Sequence, residues 1–537
     1  MGVAKNIANL NPFIYLKLIV IILITFAIAS SVLLMGTGFS GDKEEIKWTV
    51  SVFFVSLVFV FIVLEKLLFG KLHSDYLYFT EIIIMIVSVV ECCIAILQYI
   101  GMIEKDNRFS IGTFGNNAGL ISFLCLSFPL GIVRNKKMKL SMSLLLIFAK
   151  ILTVIVILLC ESRVGVLCLL AACILLSIKT LNFKKIVYIL VFIIAAAISM
   201  AKFTKQESSK GRLFILQQSI EMICEKPITG WGINGFAHNY MSKQATFFMK
   251  HPKDKACQYA DNLHHPLNEY IIIAVDYGIP CFCLLMIFIG LGLFTLLAKL
   301  KDDRIKQRFV IIIVCAILSF FSYPFLYPFS WIILGYSILC FIKTSIISNR
   351  IFPILRFPFA LTILILHIFC AYKLIENIQL KNIKYDAENK KYGKVISAYQ
   401  KIYEQQKENY VFLYAYSSIL MEAGIYDRAE RCAERCSRLY SDYNVCILNG
   451  DIKRCRRNYN AAIKAYFMAH YMCPSRITPL YSIMQTYRLN GEFSKSIMMA
   501  EQIINSPIKV SNSATDEMIK ETKYFLHMVH HKNNEIK

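Results

Sequence analysis

The chain has 537 residues, 56% of them hydrophobic, with a mean hydropathy of +0.52. That excludes an ordinary soluble domain, because apolar runs long enough to span a bilayer dominate the chain up to Leu374. The formal charge of +23 needs no nucleic-acid partner. Much of it lies between apolar runs as a positive-inside signal, and no recognisable nucleic-acid-binding motif accompanies it.

In chain order the apolar runs predict about eleven transmembrane helices: Phe13–Met35, Ile46–Phe69, Phe79–Ile103, Ala118–Val133, Leu140–Cys160, Val164–Ile178, Ile186–Ala201, Ile271–Leu300, Phe309–Pro324, Phe329–Ile347 and Pro353–Leu374. Ala27-Ile28-Ala29 resembles a signal-peptidase site, but the apolar stretch continues through Met35, so an uncleaved helix is expected. Basic clusters at Arg134–Lys139, Lys179–Lys185 and Lys299–Arg308 mark one side of the membrane. With the N-terminus cytoplasmic, they put the Asp42–Glu45 turn, the long polar stretch Lys202–Pro266 and the C-terminal region outside the cytoplasm. Most of the eighteen cysteines, among them Cys92, Cys93, Cys168 and Cys173, lie in apolar spans as small hydrophobes. Cys224 and Cys257 share the external loop and read either as a pair or as two unlinked thiols.

After Leu374 the composition turns soluble and helical, giving an expected division into residues 1–375 and 376–537. Aromatics recur at Tyr392, Tyr426, Tyr459 and Phe493, 34, 33 and 34 residues apart. Val395, Ala429, Ala462 and Ser496 follow them by three places. Gly424 and Gly491 precede two of them by two places, where Arg457 stands in the third unit. This period resembles tetratricopeptide helix pairs, which stack into a solenoid with a concave surface for a partner. The region carries 24 Lys and Arg against 17 Asp and Glu, densest at Lys453–Arg457. That cluster reads as a solvated turn or as a contact for anionic headgroups.

Four constellations in the membrane part bear on chemistry. Glu161-Ser162-Arg163-Val164-Gly165 places an arginine at the external end between two spans. It reads as a snorkelling anchor, as an ion pair with Glu161, or as a clamp for a phosphate. Gly211-Arg212 opens a helical stretch that ends at Pro227, so Arg212 is expected near a helix N-terminus that would favour an anion, unless it is an ordinary surface arginine. Gly230-Trp231-Gly232-Ile233-Asn234-Gly235-Phe236 permits a tight turn but lacks the spacing of a dinucleotide fingerprint, and reads as a shaping loop. Tyr240 and Gln244 follow it one helical turn apart, to line a sugar pocket or simply to pack. In His264-His265-Pro266-Leu267-Asn268-Glu269-Tyr270 the proline disfavours helix at His265, so the imidazole projects from a loop before a helix. Asn268 and Glu269 then fall in the first turn, to cap it or to orient the histidine. Two adjacent histidines are a weak metal site, and no metal or other cofactor is expected.

In this order Gly112-Thr113-Phe114-Gly115-Asn116-Asn117, Ser162-Arg163, Gly211-Arg212, Pro227–Gly232 and His265–Gly278 resemble the bacterial O-antigen ligase/polymerase family, which also includes protein O-oligosaccharyltransferases. The resemblance covers about Gly112 to Leu300. It implies an inner-membrane glycosyltransferase that takes a glycan from undecaprenyl diphosphate outside the cytoplasm and passes it to an acceptor hydroxyl, in ligases that of the lipid A–core. Under it Arg163 and Arg212 would hold the donor diphosphate, and His265, rather than its neighbour His264, would take the proton of the acceptor. The family's commoner form has asparagine directly after the histidine, whereas here Pro266-Leu267 intervene. Displacement at the anomeric carbon would invert configuration, with arginines in place of a metal. Outside this class stand a transporter of lipid-linked sugars, for which Glu81 and Glu91 in the third span are the notable intramembrane charges, and a membrane scaffold working through its repeats.

Overall fold

The structure is a computed structural model and describes residues 12–34, 43–69, 75–104, 111–131, 140–177, 206–297, 302–343, 352–389, 391–506 and 512–535. It is all-α, and twenty α-helices are numbered here in chain order. They are α1 (Pro12–Leu33), α2 (Lys43–Phe69), α3 (Tyr76–Tyr99), α4 (Asn117–Ser127), α5 (Leu140–Leu159), α6 (Arg163–Ser177), α7 (Gln206–Glu225), α8 (Gly235–Lys250), α9 (Glu269–Leu297), α10 (Asp303–Phe321), α11 (Pro328–Lys343) and α12 (Phe352–Glu388). Eight more follow: α13 (Tyr392–Gln406), α14 (Tyr410–Glu422), α15 (Tyr426–Leu439), α16 (Tyr443–Cys455), α17 (Tyr459–Met472), α18 (Thr478–Leu489), α19 (Phe493–Asn505) and α20 (Ser513–Glu535).

Among the described residues four stretches are long and apolar enough to cross a membrane: Phe13–Leu33, Glu45–Glu65, Tyr76–Tyr99 and Glu269–Phe294. The expected spans at Ala118, Leu140, Val164 and Phe329 appear as shorter apolar helices, and Ile186–Ala201 lies outside the described residues. The chain divides into two compact units, Met1–Phe203 with Met286–Asn382, and Thr204–Leu285 with Ile383–Lys537.

In the first unit α4 is buried on every side, as its all-round apolar sequence requires. The Asn116 side chain caps it, accepting from Gly119 N at 3.1 Å and from the Tyr327 hydroxyl at 2.9 Å. Both carboxylates noted in the third span are engaged. Glu91, fully buried, accepts from Thr113 N at 2.8 Å and Thr113 Oγ1 at 2.9 Å, while buried Lys47 donates to Thr113 O at 3.1 Å. Glu81 pairs with Arg308 and accepts from the Tyr336 hydroxyl at 2.6 Å. Charges out of water are costly unless paired, and these pairings give both a structural task.

In the second unit Tyr392, Tyr426, Tyr459 and Phe493 are each the first residue of a helix. Val395, Ala429, Ala462 and Ser496, one turn on, are at most 1% exposed, because a small residue there lets neighbouring helices approach. Gly424 and Gly491 take left-handed φ of 76° and 78° in the preceding turns, and Arg457 adopts the same conformation at 60°. The basic cluster around it is neutralised locally, with Arg456 on Asp427 and Glu430, and Arg454 on Asp451.

Candidate active site

The site region of the second unit starts from a break in α9. Pro280 lacks the N–H that would bond to the Asp276 carbonyl, and Gly278 leaves helical geometry at φ 82°, ψ 170°. The glycine turn takes up the groups this frees. Trp231 N donates to Val275 O and Gly232 N to Asp276 O, both at 2.9 Å, while Ile279 N donates to Pro227 O at 2.8 Å. The Asp276 side chain accepts from Phe236 N at 2.8 Å. A Cβ at Gly230 would lie 2.3 Å from Asp276 O, and one at Gly278 2.2 Å from Ile228 O, so only glycine permits this approach. The turn read as a shaping loop is a main-chain clamp on a broken helix.

Nearly three turns before the break, Asn268 caps the start of α9, its Oδ1 accepting from Tyr270 N at 2.9 Å and Ile271 N at 3.1 Å. Glu269 follows, 7% exposed. His265 Nε2 lies 3.6 Å from Glu269 Oε2, and His265 Nδ1 accepts from Leu267 N at 3.0 Å. The amide bond requires a lone pair on Nδ1, so the neutral ring carries its proton on Nε2, facing the carboxylate. Leu267 reaches this geometry with φ 58°, a left-handed conformation costing about 1–2 kcal/mol for a residue with a side chain. Strain of this kind clusters at functional sites.

His264 turns the other way. Its Nε2 lies 3.0 Å from Asp442 Oδ2, and its ring is 4.6 Å from that of Tyr440, which stacks on Tyr410 at 3.8 Å. Asp442 also caps α16 through Asn444 N and Val445 N, and accepts from Asn262 Nδ2 at 2.7 Å. Burial pushes the Asp442 carboxyl up, but hydrogen bonds from His264 and Asn262 outweigh it and hold the group below the usual carboxylate range. Arg476 pairs with Asp261 at 2.6 Å. Gln244 donates to the carbonyls of Asp261 at 3.1 Å and Met472 at 2.5 Å. The segment 261–267 is thus held between α9 and the C-terminal repeats.

Tyr240 and Gln244 are 0% exposed, and Tyr240 stacks on Phe236 at 4.5 Å. Of the two readings of this pair, packing is the one seen. Arg212 is exposed on α7, but the helix begins at Gln206 rather than at Gly211. The reason is physical: glycine inside a helix costs only about 1 kcal/mol, and a Cβ at Gly211 would meet Tyr259 Cβ at an ordinary 3.5 Å, so nothing there sets a boundary. Arg212 therefore lies well inside the helix, away from its exposed N–H groups. Packing links that helix to the histidine segment, since Ile215, one turn on from Arg212, shares an apolar cluster with Leu263, Leu267 and Val275. Arg163, in the first unit, is half-buried as the first residue of α6, with Ser162 Oγ accepting from Gly165 N at 3.1 Å. A cation there opposes the helix dipole by about 0.3–1 kcal/mol, which a bound anion would reverse. Cys224 and Cys257 are free thiols.

Residues 148–286 match the family model described as O-antigen ligase. This stretch of the chain is similar to that family. No curated protein matches the chain significantly. The matched stretch contains Arg163, Arg212, the glycine turn and the His264–Glu269 segment, and it ends inside α9. The match supports ligase- or polymerase-type glycan transfer in general. Asp442 and Arg476 stand outside the match, and no local sequence pattern connects either to the matched stretch. Asp442 shows only a capping signature (Asp442 before Tyr443-Asn444), which says nothing of a histidine some 180 residues earlier.

Proposed function

We propose that the protein transfers a glycan from undecaprenyl diphosphate to an acceptor hydroxyl, that of the lipid A–core, on the periplasmic face of the inner membrane. Residues 1–375 serve as the transferase part with its external loop 202–266, and 376–537 as a periplasmic tetratricopeptide-like module. The observation that carries the reading is the His265–Glu269 pair, strained into place at the capped start of an apolar helix. Nδ1 of His265 takes the acceptor proton as the contact to Leu267 N opens, and relief of the left-handed Leu267 favours that opening. Glu269 stabilises the resulting imidazolium through the Nε2 proton, as a carboxylate does for a catalytic histidine. The acceptor oxygen bonds to the anomeric carbon, the carbon–phosphate-oxygen bond breaks, and undecaprenyl diphosphate leaves with inversion. Arg163 and Arg212 neutralise that diphosphate, work for which planar guanidinium groups suit without a metal. Against a sugar transporter, Glu81 and Glu91 are both committed to internal partners.

The test is a reaction of the purified full chain with undecaprenyl-diphosphate glycan and three acceptors: lipid A–core, a second lipid-linked glycan, and a serine/threonine protein. Glycosylated lipid A–core is the expected product. Product on the other acceptors alone moves the protein to a polymerase or a protein transferase. Full activity in Arg163→Ala, Arg212→Ala and His265→Ala together removes the assigned site.

A further inference from the structure

The helices of the second unit line an open cavity of about 550 Å³, within the range of small-ligand sites. Its wall includes Tyr414 on α14, Asn444 and Asp451 on α16, and Arg476 and Thr478 at the start of α18. Two of the charges of this wall are compensated, and the third, Glu422, accepts from the Tyr392 hydroxyl at 3.3 Å. Arg476 pairs with Asp261 and lies 4.7 Å over the Tyr443 ring, while Asp451 accepts from the Tyr466 hydroxyl at 2.7 Å and from Arg454 at 3.1 Å. A phosphate therefore finds no surplus of positive charge, while the Glu422 carboxylate can accept from a ligand hydroxyl. What remains on offer is a half-exposed aromatic face at Tyr414, 37% exposed, beside an amide and hydroxyls. A ring with apolar C–H faces and hydroxyl edges matches such a wall, since tyrosine is apolar on its face and an amide both donates and accepts. Extended peptides commonly dock on a sheet edge, and none exists among the described residues; a docked helix would need a continuous apolar stripe, which polar residues interrupt here.

Position adds a second argument. The cavity wall and the candidate base share supports: Arg476 holds Asp261, and Tyr443 N donates to Asn262 Oδ1 at 3.4 Å, three residues before His265. We propose that this cavity is a saccharide subsite that binds sugar residues of the transferred or accepting glycan, so that the repeats feed the His265 segment with substrate. The proposal rests on the glycan-transfer reading for its substrate class.

The test uses the full chain in lipid nanodiscs and, as probe, the reducing oligosaccharide released by mild acid from the polyprenyl-diphosphate glycans of the source cells. Saturation-transfer NMR reads binding, and Tyr414→Ala and Asn444→Ala, on separate helices, are compared with wild type after thermal melts establish folding. Losing one hydrogen bond or one stacking face weakens binding about five-fold. The expected result is that loss in either folded variant, together with a matching rise in KM and kcat within two-fold. Wild-type binding that both variants retain, absence of binding, or capture of an extended peptide that the oligosaccharide does not displace overturns the subsite. Transfer with unchanged KM in both variants overturns the subsite and leaves the transferase reading standing. Oligosaccharide binding without any transfer does the reverse.

Discussion

Two segments of the second unit meet the same helix, α9, in opposite ways. The turn Pro227–Gly235 holds it through main-chain amides and carbonyls, at distances that no Cβ tolerates. The stretch Asp261–Leu267 is held chiefly by side chains: His265 to Glu269, His264 and Asn262 to Asp442, and Asp261 to Arg476. Main-chain hydrogen bonds do not titrate and have one geometry. Side-chain pairs titrate and can exchange partners. A transferase needs both, a fixed frame and a group that gains and loses a proton, and the molecule assigns them to separate segments.

The comparison is broken most severely at the clamp. Gly278→Ala places a Cβ against the Ile228 carbonyl in a backbone region reserved to glycine, and should cost more than about 3 kcal/mol. The readout is the yield and melting temperature of purified protein, and a normally folded variant would sink the clamp. Next comes His265→Ala, for which transfer should fall about 10²–10⁴-fold with melting unchanged, the usual worth of a positioned base. A drop in melting temperature of similar size to that of Gly278→Ala would instead place His265 in the frame.

Asp442→Ala should act between these extremes. It removes a helix cap and the partner of His264, a loss of about 2–3 kcal/mol. Hydrogen exchange should then rise across 261–267 and leave Pro227–Gly235 protected; equal exchange in both segments contradicts the division of labour. The same carboxyl sets a pH dependence. Its folded pKa lies below the unfolded value of about 3.9, so its contribution is fully present above that value and fades as pH falls through the folded one. Acid titration of melting temperature should therefore be shallower in Asp442→Asn than in wild type below pH ~4. The smallest effect is Arg457→Gly. A left-handed arginine costs about 1–2 kcal/mol, and glycine returns part of that gain as unfolded-state entropy, leaving about 0.5 kcal/mol of stabilisation in a thermal melt.

Local patterns carried far in the sequence. The aromatic period from Tyr392 to Phe493 marked the helix starts to the residue, because burial of a small residue one turn on recurs with the repeat. Pro266 before Asn268-Glu269 announced a loop followed by a capped helix, since proline restricts its predecessor and asparagine satisfies first-turn amides. Gly211 reads locally as a helix start, yet α7 begins at Gln206, because packing tolerates a glycine that local propensity treats as a boundary.

What the sequence by itself determined is whatever depends on neighbours along the chain: apolar length, helix periodicity, caps, and the candidate arginines and histidines. Only the tertiary structure decided which histidine faces which carboxylate. His264 and His265 are adjacent and chemically alike, yet one turns to Glu269 and the other to Asp442. That choice depends on a helix cap supplied from a distant repeat, and contacts between distant segments leave no periodic trace in either of them.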